Sequence, residues 1–240
     1  MKCTCGGTRD ELKHGERRLT TSDYDRPATE LAKFLLGKVL VRRKEGGEEM
    51  KGIIVETEAY IGGLDKASHS YKGKKTKRNA PMFMKPGTAY VYITYGMYHC
   101  FNISSQGEGA AVLLRAIEPI YGINDMRDNK AVNAKVKKKS SFNLKKDHRS
   151  LCIREICNGP SKLCMALDID KKLNTEDLSI STNLWVENNL DVDNKDIINC
   201  SRIGLNSIYG EWMTKPLRYY IKDNLYISKK ASPVELAQML

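Results

Sequence analysis

The sequence lacks the long hydrophobic run that a membrane-spanning helix needs. No apolar stretch approaches the roughly 20 residues that cross a bilayer, and residues 1–19 lack the apolar core of a secretory signal. The seven cysteines are an odd number, which favours reduced thiols over a framework of disulfide bonds. These absences predict a soluble, intracellular protein that does not act within a membrane.

The sequence also lacks the motifs of several enzyme classes. It contains no G-x-x-x-x-G-K-[ST] phosphate loop, no H-E-x-x-H zinc helix and no H-x-E combined with P-C-x-x-C, as in the zinc deaminases. None of the cysteine spacings repeats that of a zinc ribbon or a zinc finger. The sequence therefore predicts no metal site and no cofactor.

Acidic residues are too few to balance the basic ones. Forty lysines and arginines against 29 aspartates and glutamates give a formal net charge of +11 and a pI near 9.2. A surplus of this kind favours an anionic partner, either nucleic acid or an anionic membrane surface. Charge alone does not choose between these two partners.

Local patterning predicts one α+β domain. At 240 residues and 41% hydrophobic, the chain can bury the core of a domain over 22–240, behind a flexible polar arm at 1–21. Helices are predicted at 25–37, at 122–128 and from 160 onward, with a further short helical turn in the loop 61–85. Strands are predicted at 38–43, 52–60, 111–117, 184–187, 202–205 and 217–221. The lysine-rich residues 129–150 predict a solvated or disordered basic insertion. This order of elements is typical of a mainly antiparallel sheet with a few helices.

The most informative stretch is a predicted β-hairpin at 90–103. Residues 90–94 alternate aromatic or hydroxyl side chains with aliphatic ones, and a second strand-like run follows Gly96, which can supply the positive φ of a tight turn. The tip carries Tyr95 and Met97, where turns usually carry Asn, Asp or Ser. Two interpretations are open: the tip folds back onto its own sheet, or it is a wedge that inserts between nucleic-acid bases.

Two glutamates and an arginine are candidates for chemistry. Glu56 and Glu58 lie two apart in a predicted strand, so their side chains share one face while Thr57 points to the other. If that face opens into a cleft, one carboxylate can act as a general base toward water; a solvated sheet face is the alternative. Arg115 lies among aliphatic residues and must find an anion or a carbonyl, either in a catalytic site or in a structural ion pair.

Other polar residues carry weaker signals. His69 lies in a polar loop, where a surface histidine is the default, whereas Asn102 lies in a predicted strand and needs a hydrogen-bond partner if it is buried. The basic runs at 72–78 and 135–139, together with Lys162 at the start of a predicted helix, could neutralise phosphates around an inserted tip. Solvated surface charge is the alternative for all of them.

A set of short motifs follows in consistent order over about residues 22 to 228. They are V-E-T-E-A-Y at 55–60, H-S at 69–70, M-F-M-K-P-G-T at 82–88, the hairpin at 90–102, I-S-S-Q-G at 103–107, L-L-R-A at 113–116, G-P-S-K-L-C at 159–164, G-E-W at 210–212 and K-P-L-R at 215–218. These motifs resemble those of the alkyladenine DNA glycosylases, also called methylpurine or 3-methyladenine DNA glycosylases. The resemblance implies a single mixed domain on a curved, mainly antiparallel sheet, with flanking helices and a protruding hairpin. It also implies removal of alkylated or deaminated purines, such as 3-methyladenine, 7-methylguanine, hypoxanthine and ethenoadenine, from duplex DNA.

The resemblance assigns the chemical step to three residues. It makes Glu58 the general base for the attacking water, which Arg115 and a backbone carbonyl near Ile203 would help to hold. The implied reaction is monofunctional hydrolysis of the N-glycosidic bond, which leaves an abasic site and needs no lysine Schiff base.

The resemblance also assigns a base pocket. Tyr60, His69 and Tyr92 would sandwich the extruded base, and Asn102 would lie where the 2-amino group of normal guanine must go. Ile203 would be the fifth residue of the pocket. An alkylated purine is cationic, so an electron-rich aromatic sandwich binds it by cation–π attraction as well as by stacking. The implied pocket therefore selects damage by charge.

The remaining implied contacts are with the DNA itself. Tyr95 would fill the gap that the flipped nucleotide leaves, and Met97 would support it. Arg78 and Lys162 would contact the DNA backbone. The implied state is a monomer on double-stranded DNA, with downstream abasic-site repair enzymes as possible partners, in the nucleus of a eukaryote or the cytoplasm and nucleoid of a bacterium.

The chain departs from the family pattern in two places. Residues 129–150 look longer and more basic than the family's equivalent segment. Lys77 stands where a proline is common, so the conformation of that loop does not follow from the resemblance.

Two other functions are open alternatives. A non-catalytic protein could recognise lesions or bent DNA with the same wedge, and an RNA-binding or ribonuclease-like module could use the same tyrosines for stacking. The pair Glu58 and Arg115 favours the enzyme, because a binding protein needs neither a base nor a positioned water.

Overall fold

An eight-stranded antiparallel sheet organises the chain, of which a computed structural model describes residues 17–137 and 151–237. Over this part of the chain the strands are β1 (Val39–Arg43), β2 (Glu49–Tyr60), β3 (Ala89–Thr94), β4 (Tyr98–Ser104), β5 (Ala111–Tyr121), β6 (Leu184–Glu187), β7 (Ile197–Cys200) and β8 (Arg218–Ile221). The helices are α1 (Thr21–Tyr24), α2 (Ala28–Phe34), α3 (Ile123–Lys137), α4 (Pro160–Ala166) and α5 (Pro233–Ala237). The predicted α+β class, with a mainly antiparallel sheet and flanking helices, is confirmed.

The sheet is built around β2 and β5. Both strands are long and almost wholly buried, as apolar strands covered on both faces are. β5 pairs with one edge of β2, while the other edge pairs first with β1 and then, from Glu56 onward, with β8. The pairing with β5 shifts register on both sides of Glu56, which marks a β-bulge in the middle of the sheet. The strand order is β3-β4-β5-β2-β1-β6, with β7 beside β8.

Helices cover one face of the sheet. Leu31 of α2 and Leu163 of α4 are fully buried in the main hydrophobic core, where truncating a leucine to alanine typically costs about 2 to 5 kcal/mol. Pro27 precedes α2, and Gly37, at φ +83°, follows its last turn as predicted. A Cβ at Gly37 would lie 2.6 Å from the carbonyl oxygen of Leu190, so this turn requires glycine.

The segment after β8 covers the opposite face. Ile227 and Ala231 are buried in a second hydrophobic cluster that includes Val55 of β2 and Trp185 of β6. The middle of β2 is therefore enclosed from both sides. This enclosure decides the environment of the two glutamates.

Three segments differ from the sequence-based expectations. The strand predicted at 202–205 is wrong, because those residues form a loop and β7 lies just before them, at Ile197–Cys200. The helix predicted at 122–128 continues to Lys137. Of the two alternatives for the insertion, solvated or disordered, disorder is therefore wrong for residues 129–137, and residues 138–150 lie outside the described residues. Leu19, in the predicted flexible arm, is buried, and its N–H donates to the carbonyl of Val186 at 2.8 Å. This contact anchors the part of the arm that is described, whereas residues 1–16 lie outside the described residues.

The predicted hairpin is confirmed as β3 and β4. Thr94 pairs with Tyr98 across a three-residue tip, in which Tyr95 has φ +50° and Gly96 has φ +69°. The side chain of Tyr95 is 86% exposed and that of Met97 is 55% exposed. The tip therefore does not fold back onto its own sheet, and that interpretation is wrong.

Within the described residues, no helix is both long and apolar enough to span a lipid bilayer.

Candidate active site

A small cavity lies where β3, β4, the end of β2 and the loop 61–85 meet. Its volume is about 50 Å³. The lining side chains are those of Tyr60, Ala67, His69, Met82, Tyr90, Tyr92 and Asn102. This volume suits a few water molecules, and a purine is larger, so the side chains must move apart for a base to bind.

The structure brings four of the five residues of the predicted base pocket together here, whereas Ile203 does not line the cavity and instead contacts Glu58 through its backbone N–H. Tyr60 ends β2, His69 comes from the loop, Tyr92 lies on β3 and Asn102 lies on β4. The sequence reasoning missed Tyr90, although the period-two alternation of β3 puts it on the same face as Tyr92 and could have identified it. It also missed Ala67 and Met82, for which the sequence carries no comparable signal.

Aromatic rings form the wall of the cavity. The ring centres of His69 and Tyr92 are 4.7 Å apart at an interplanar angle of 75°, and those of Tyr90 and Tyr92 are 5.2 Å apart. His69 Nδ1 is hydrogen-bonded to the Tyr90 hydroxyl at 2.8 Å. His69 is exposed, as expected of a surface histidine, but it is not isolated, because it borders the cavity and contacts both tyrosines.

His69 is held in its neutral form. Desolvation by the surrounding protein, and then the positive charge of Arg78, lower the pKa of His69 from its ordinary value of 6.5. At pH 7 the imidazole therefore adds no positive charge to the cavity.

Asn102 has the fixed partner that its strand position predicts. It is 4% exposed, and its Nδ2 donates to the carbonyl of Tyr90 at 3.1 Å, across the β3–β4 pair. The amide is therefore held rigidly in the cavity wall, where its bulk can exclude part of a base.

Glu58 connects the cavity to a buried arginine. It is fully buried, so the alternative of a solvated sheet face is wrong. Its Oε1 accepts hydrogen bonds from Arg115 Nη1 at 3.0 Å and from the backbone N–H of Ile203 at 2.8 Å. Its Oε2 accepts from the hydroxyl of Tyr60 at 3.0 Å. Burial raises the pKa of Tyr60 well above 10, so this phenol stays protonated and donates.

Glu56 has different partners. Its Oε1 accepts from Arg115 Nε at 3.2 Å and from Arg218 Nη1 at 2.9 Å. The backbone N–H of Ser228 donates to Oε2 at 2.6 Å, and the Ser228 hydroxyl donates to Oε1 at 2.9 Å. Both glutamates do share one face, because Thr57 Oγ1 between them donates to a carbonyl on the helix side of the sheet. Their roles can differ because only Glu58 reaches a residue of the cavity.

Arg115 joins the two carboxylates. The prediction that it needs an anion or a carbonyl as partner is confirmed, since it pairs with two anions, Glu56 and Glu58. The sequence reasoning missed Arg218 and Ser228. Arg218 lies in an apolar strand, so the argument applied to Arg115 could have identified it; the role of Ser228 depends on the path of the C-terminal segment and has no local signal.

A second buried ion pair supports Tyr60. Arg202 forms two hydrogen bonds to Asp65, at 2.5 and 2.8 Å, and a third to the carbonyl of Ala59 at 3.1 Å. Its guanidinium carbon lies 4.6 Å from the centre of the Tyr60 ring. Bidentate pairing holds this guanidinium rigidly, so it braces the ring from behind. The sequence reasoning did not identify either residue of the pair.

The predicted DNA-contacting residues lie at the surface around this site. Tyr95 lies three residues beyond Tyr92 on the hairpin, about 10 Å along the strand direction. Arg78 and Lys162 are exposed. The Nζ of Lys162 donates to the side chain of Asn158 at 2.7 Å, which leaves the ammonium at the start of α4.

Wider clefts elsewhere on the surface are open and lack such chemistry. They lie beside Tyr121, between Asp168 and Arg42, and between Asp191 and Asp223. None of them joins aromatic rings to a buried carboxylate. Across residues 17–137 and 151–237, no group of three His, Cys, Asp or Glu side chains is arranged to bind a metal ion.

Comparisons with known proteins agree with this geometry. A sequence model of the methylpurine-DNA glycosylase (MPG) family matches residues 22–225. The chain is 47% identical over 212 residues to the DNA-3-methyladenine glycosylase of Homo sapiens. The matched region covers 88% of this chain and 68% of the human protein. Relatives from Encephalitozoon cuniculi and Clostridium tetani are 45% and 49% identical over 86% of this chain, and the matches cover 90% and 97% of those proteins.

The extent of these matches decides what they show. The chain spans 61% to 68% of the length of the mammalian relatives from human, mouse and rat. Both the family match and the resemblance in the sequence cover most of the chain. The chain belongs to the methylpurine-DNA glycosylase family.

Proposed function

We propose that this protein flips a damaged purine nucleotide out of duplex DNA into the aromatic cavity and hydrolyses its N-glycosidic bond with Glu58 as the general base. As a member of its family, the chain is a monofunctional DNA N-glycosylase of base excision repair, as the sequence predicted. The observation that carries the proposal is the position of Glu58, which is buried and bonded both to Tyr60 of the cavity and to Arg115.

The chemical step needs a water molecule on Glu58, and the hydrogen bonds leave room for one. A carboxylate has about four lone-pair sites. Among the described residues, two donors reach Oε1 and one donor, the Tyr60 hydroxyl, reaches Oε2. We infer that the water binds to the free site on Oε2, with the help of Arg115 and of the backbone near Ile203. The contact given by Ile203 is from its N–H; a contact from its carbonyl stays a prediction.

The reaction then balances as a simple hydrolysis. Glu58 takes a proton from the water, whose oxygen forms a bond to C1′ of the deoxyribose. The bond from C1′ to the purine nitrogen breaks, and its electron pair leaves with the base. Glu58 then releases its proton to solvent, and a purine that departs as an anion takes one up. The negative carboxylate also stabilises the oxocarbenium-like sugar of the transition state. The product is an abasic site.

The proposed substrates are alkylated and deaminated purines, including 3-methyladenine, 7-methylguanine, hypoxanthine and ethenoadenine. Tyr60, His69 and Tyr92 would stack on the flipped base, and their faces attract the cationic members of this group. The rigid amide of Asn102 would exclude the 2-amino group of normal guanine. Flipping costs least for a damaged or mispaired base, which adds selectivity.

The proposed DNA contacts follow from exposure and charge. Tyr95, 86% exposed at the hairpin tip, would fill the gap in the duplex, with Met97 beside it. Arg78 and Lys162 are the proposed backbone contacts, and the net charge of +11 favours an anionic partner. We further propose that the protein acts as a monomer, in the nucleus of a eukaryote or the nucleoid of a bacterium.

One assay tests the function. The protein is incubated with duplexes that carry hypoxanthine or ethenoadenine, and the product is treated with alkali, which breaks the strand at abasic sites. We expect strand breaks with the wild type and none with Glu58→Gln. A non-catalytic lesion-binding protein would bind these duplexes without breaks, and an RNA-binding module would prefer single-stranded RNA in a competition experiment.

A further inference from the structure

Arg78 is held against the wall of the cavity. Its Nη2 donates to the carbonyl of Ile93 at 3.0 Å, and its guanidinium carbon lies 5.1 Å from the centre of the Tyr92 ring. Tyr92 lines the cavity, so the charge of Arg78 lies beside a ring that a bound base would contact.

The charge of Arg78 also acts on the Tyr90 hydroxyl and on the His69 imidazole of the cavity wall. Burial raises the pKa of Tyr90 to about 12, while the charge of Arg78 and its hydrogen bond with the hydroxyl act in the opposite direction. Arg78 also opposes protonation of His69. One guanidinium thus interacts with Tyr90, Tyr92 and His69. A residue that only contacts DNA phosphates does not require these interactions with the cavity wall.

We infer that Arg78 determines specificity, by penalising cationic bases in the cavity so that neutral damaged purines can compete with them. The inference rests on the proposed function. A ring that already binds a guanidinium offers less negative potential to a second cation. A neutral base such as hypoxanthine stacks on the same ring without this loss.

Direct repulsion gives the size of the effect. A base stacked about 3.5 Å from the centre of the Tyr92 ring lies at most about 9 Å from the guanidinium carbon, which is itself 5.1 Å from the ring centre. With an effective dielectric constant of about 20 to 40, Coulomb's law gives roughly a fivefold to twentyfold penalty for a cationic base. Arg78 is exposed and partly screened by salt, so we expect roughly threefold to twentyfold.

The test compares one cationic and one neutral lesion in the same duplex sequence. Release of 7-methylguanine and of hypoxanthine is measured at pH 7, as kcat/KM, for the wild type, Arg78→Gln and Arg78→Lys. We expect Arg78→Gln to raise the ratio of 7-methylguanine to hypoxanthine release by roughly threefold to twentyfold. Arg78→Lys keeps the charge and should stay within about twofold of the wild-type ratio.

Lys77→Gln is the matched control, because it removes an equal charge from the neighbouring exposed position of the same loop. We expect it to leave the ratio of the two rates unchanged. If Arg78→Gln slows both reactions equally and weakens the salt dependence of DNA binding, Arg78 is a phosphate contact only and the inference is wrong. If the wild type releases neither base, it is the proposed function that fails.

Discussion

The two glutamates of β2 should respond in opposite ways to the same chemical change. Glu58→Gln removes the only proton acceptor that touches Tyr60 of the cavity among the described residues, while its neighbour Arg115 keeps a carboxylate partner. Glu56→Gln removes a carboxylate that two arginines share. We expect the first variant to lose catalysis with a modest loss of stability, and the second to lose mainly stability.

The magnitudes follow from the hydrogen bonds. After Glu56→Gln, Arg218 keeps only carbonyl acceptors, those of Ser201 and Lys229, among its described contacts. Arg218 is 2% exposed, and removing the anionic partner of a buried ion pair costs about 3 to 5 kcal/mol. After Glu58→Gln the expected loss is about 1 to 3 kcal/mol, the cost of a disturbed buried hydrogen-bond set. General-base catalysis contributes about 10² to 10⁴ to a rate, so base release by Glu58→Gln should fall by at least that factor.

Two measurements on each variant check this pattern. Urea unfolding followed by circular dichroism gives the free energy of unfolding, and single-turnover release of hypoxanthine from a duplex gives the chemical rate. Binding of Glu58→Gln to the lesion duplex, measured by fluorescence anisotropy, shows that recognition survives. Near-normal excision by Glu58→Gln would refute the assignment of the base. Equal losses of stability and of rate in both variants would refute the division of roles.

Three further predictions concern the tip, the pocket and pH. Tyr95→Ser should leave the melting temperature unchanged, because the side chain is 86% exposed. It should weaken binding to the lesion duplex about tenfold to hundredfold without altering the salt dependence of that binding. Equal affinity of the wild type and the variant for the lesion duplex would exclude the wedge. Asn102→Ser should gain activity on undamaged guanine, since it removes the excluding group, and undetectable guanine release would show that Asn102 is not the gate. The pKa of His69 in the folded protein lies below its ordinary value of 6.5, so the unfolded chain binds this proton more readily than the folded one. The stability of the wild type should therefore fall relative to that of His69→Gln as the pH drops below about 6.5. A constant difference in melting temperature between the two proteins from about pH 8 to about pH 5 would contradict the shift.

Local signals in the sequence determined much of this protein. The alternation in 90–94 and the glycine at the tip predicted the hairpin, because a period of two and a positive φ are properties of neighbouring residues. The position of Arg115 in an apolar strand predicted that it needs an anion or a carbonyl, because burying an unpaired charge is costly. The ordered motifs identified the family, and four of the residues that the resemblance implied line one cavity.

The tertiary structure decided the environments of those residues. The burial of Glu56 depends on the segment after β8, whose Ser228 donates to it, and the burial of Glu58 depends on the loop after β7, whose Ile203 donates to it from 145 positions away. The support of Tyr60 by Arg202 requires Asp65, which is 137 positions away from that arginine. Partners that are distant in sequence meet only after the sheet has formed and the core has packed. Hydrogen bonds and charges at the site are therefore properties of packing, which no local pattern of residues encodes.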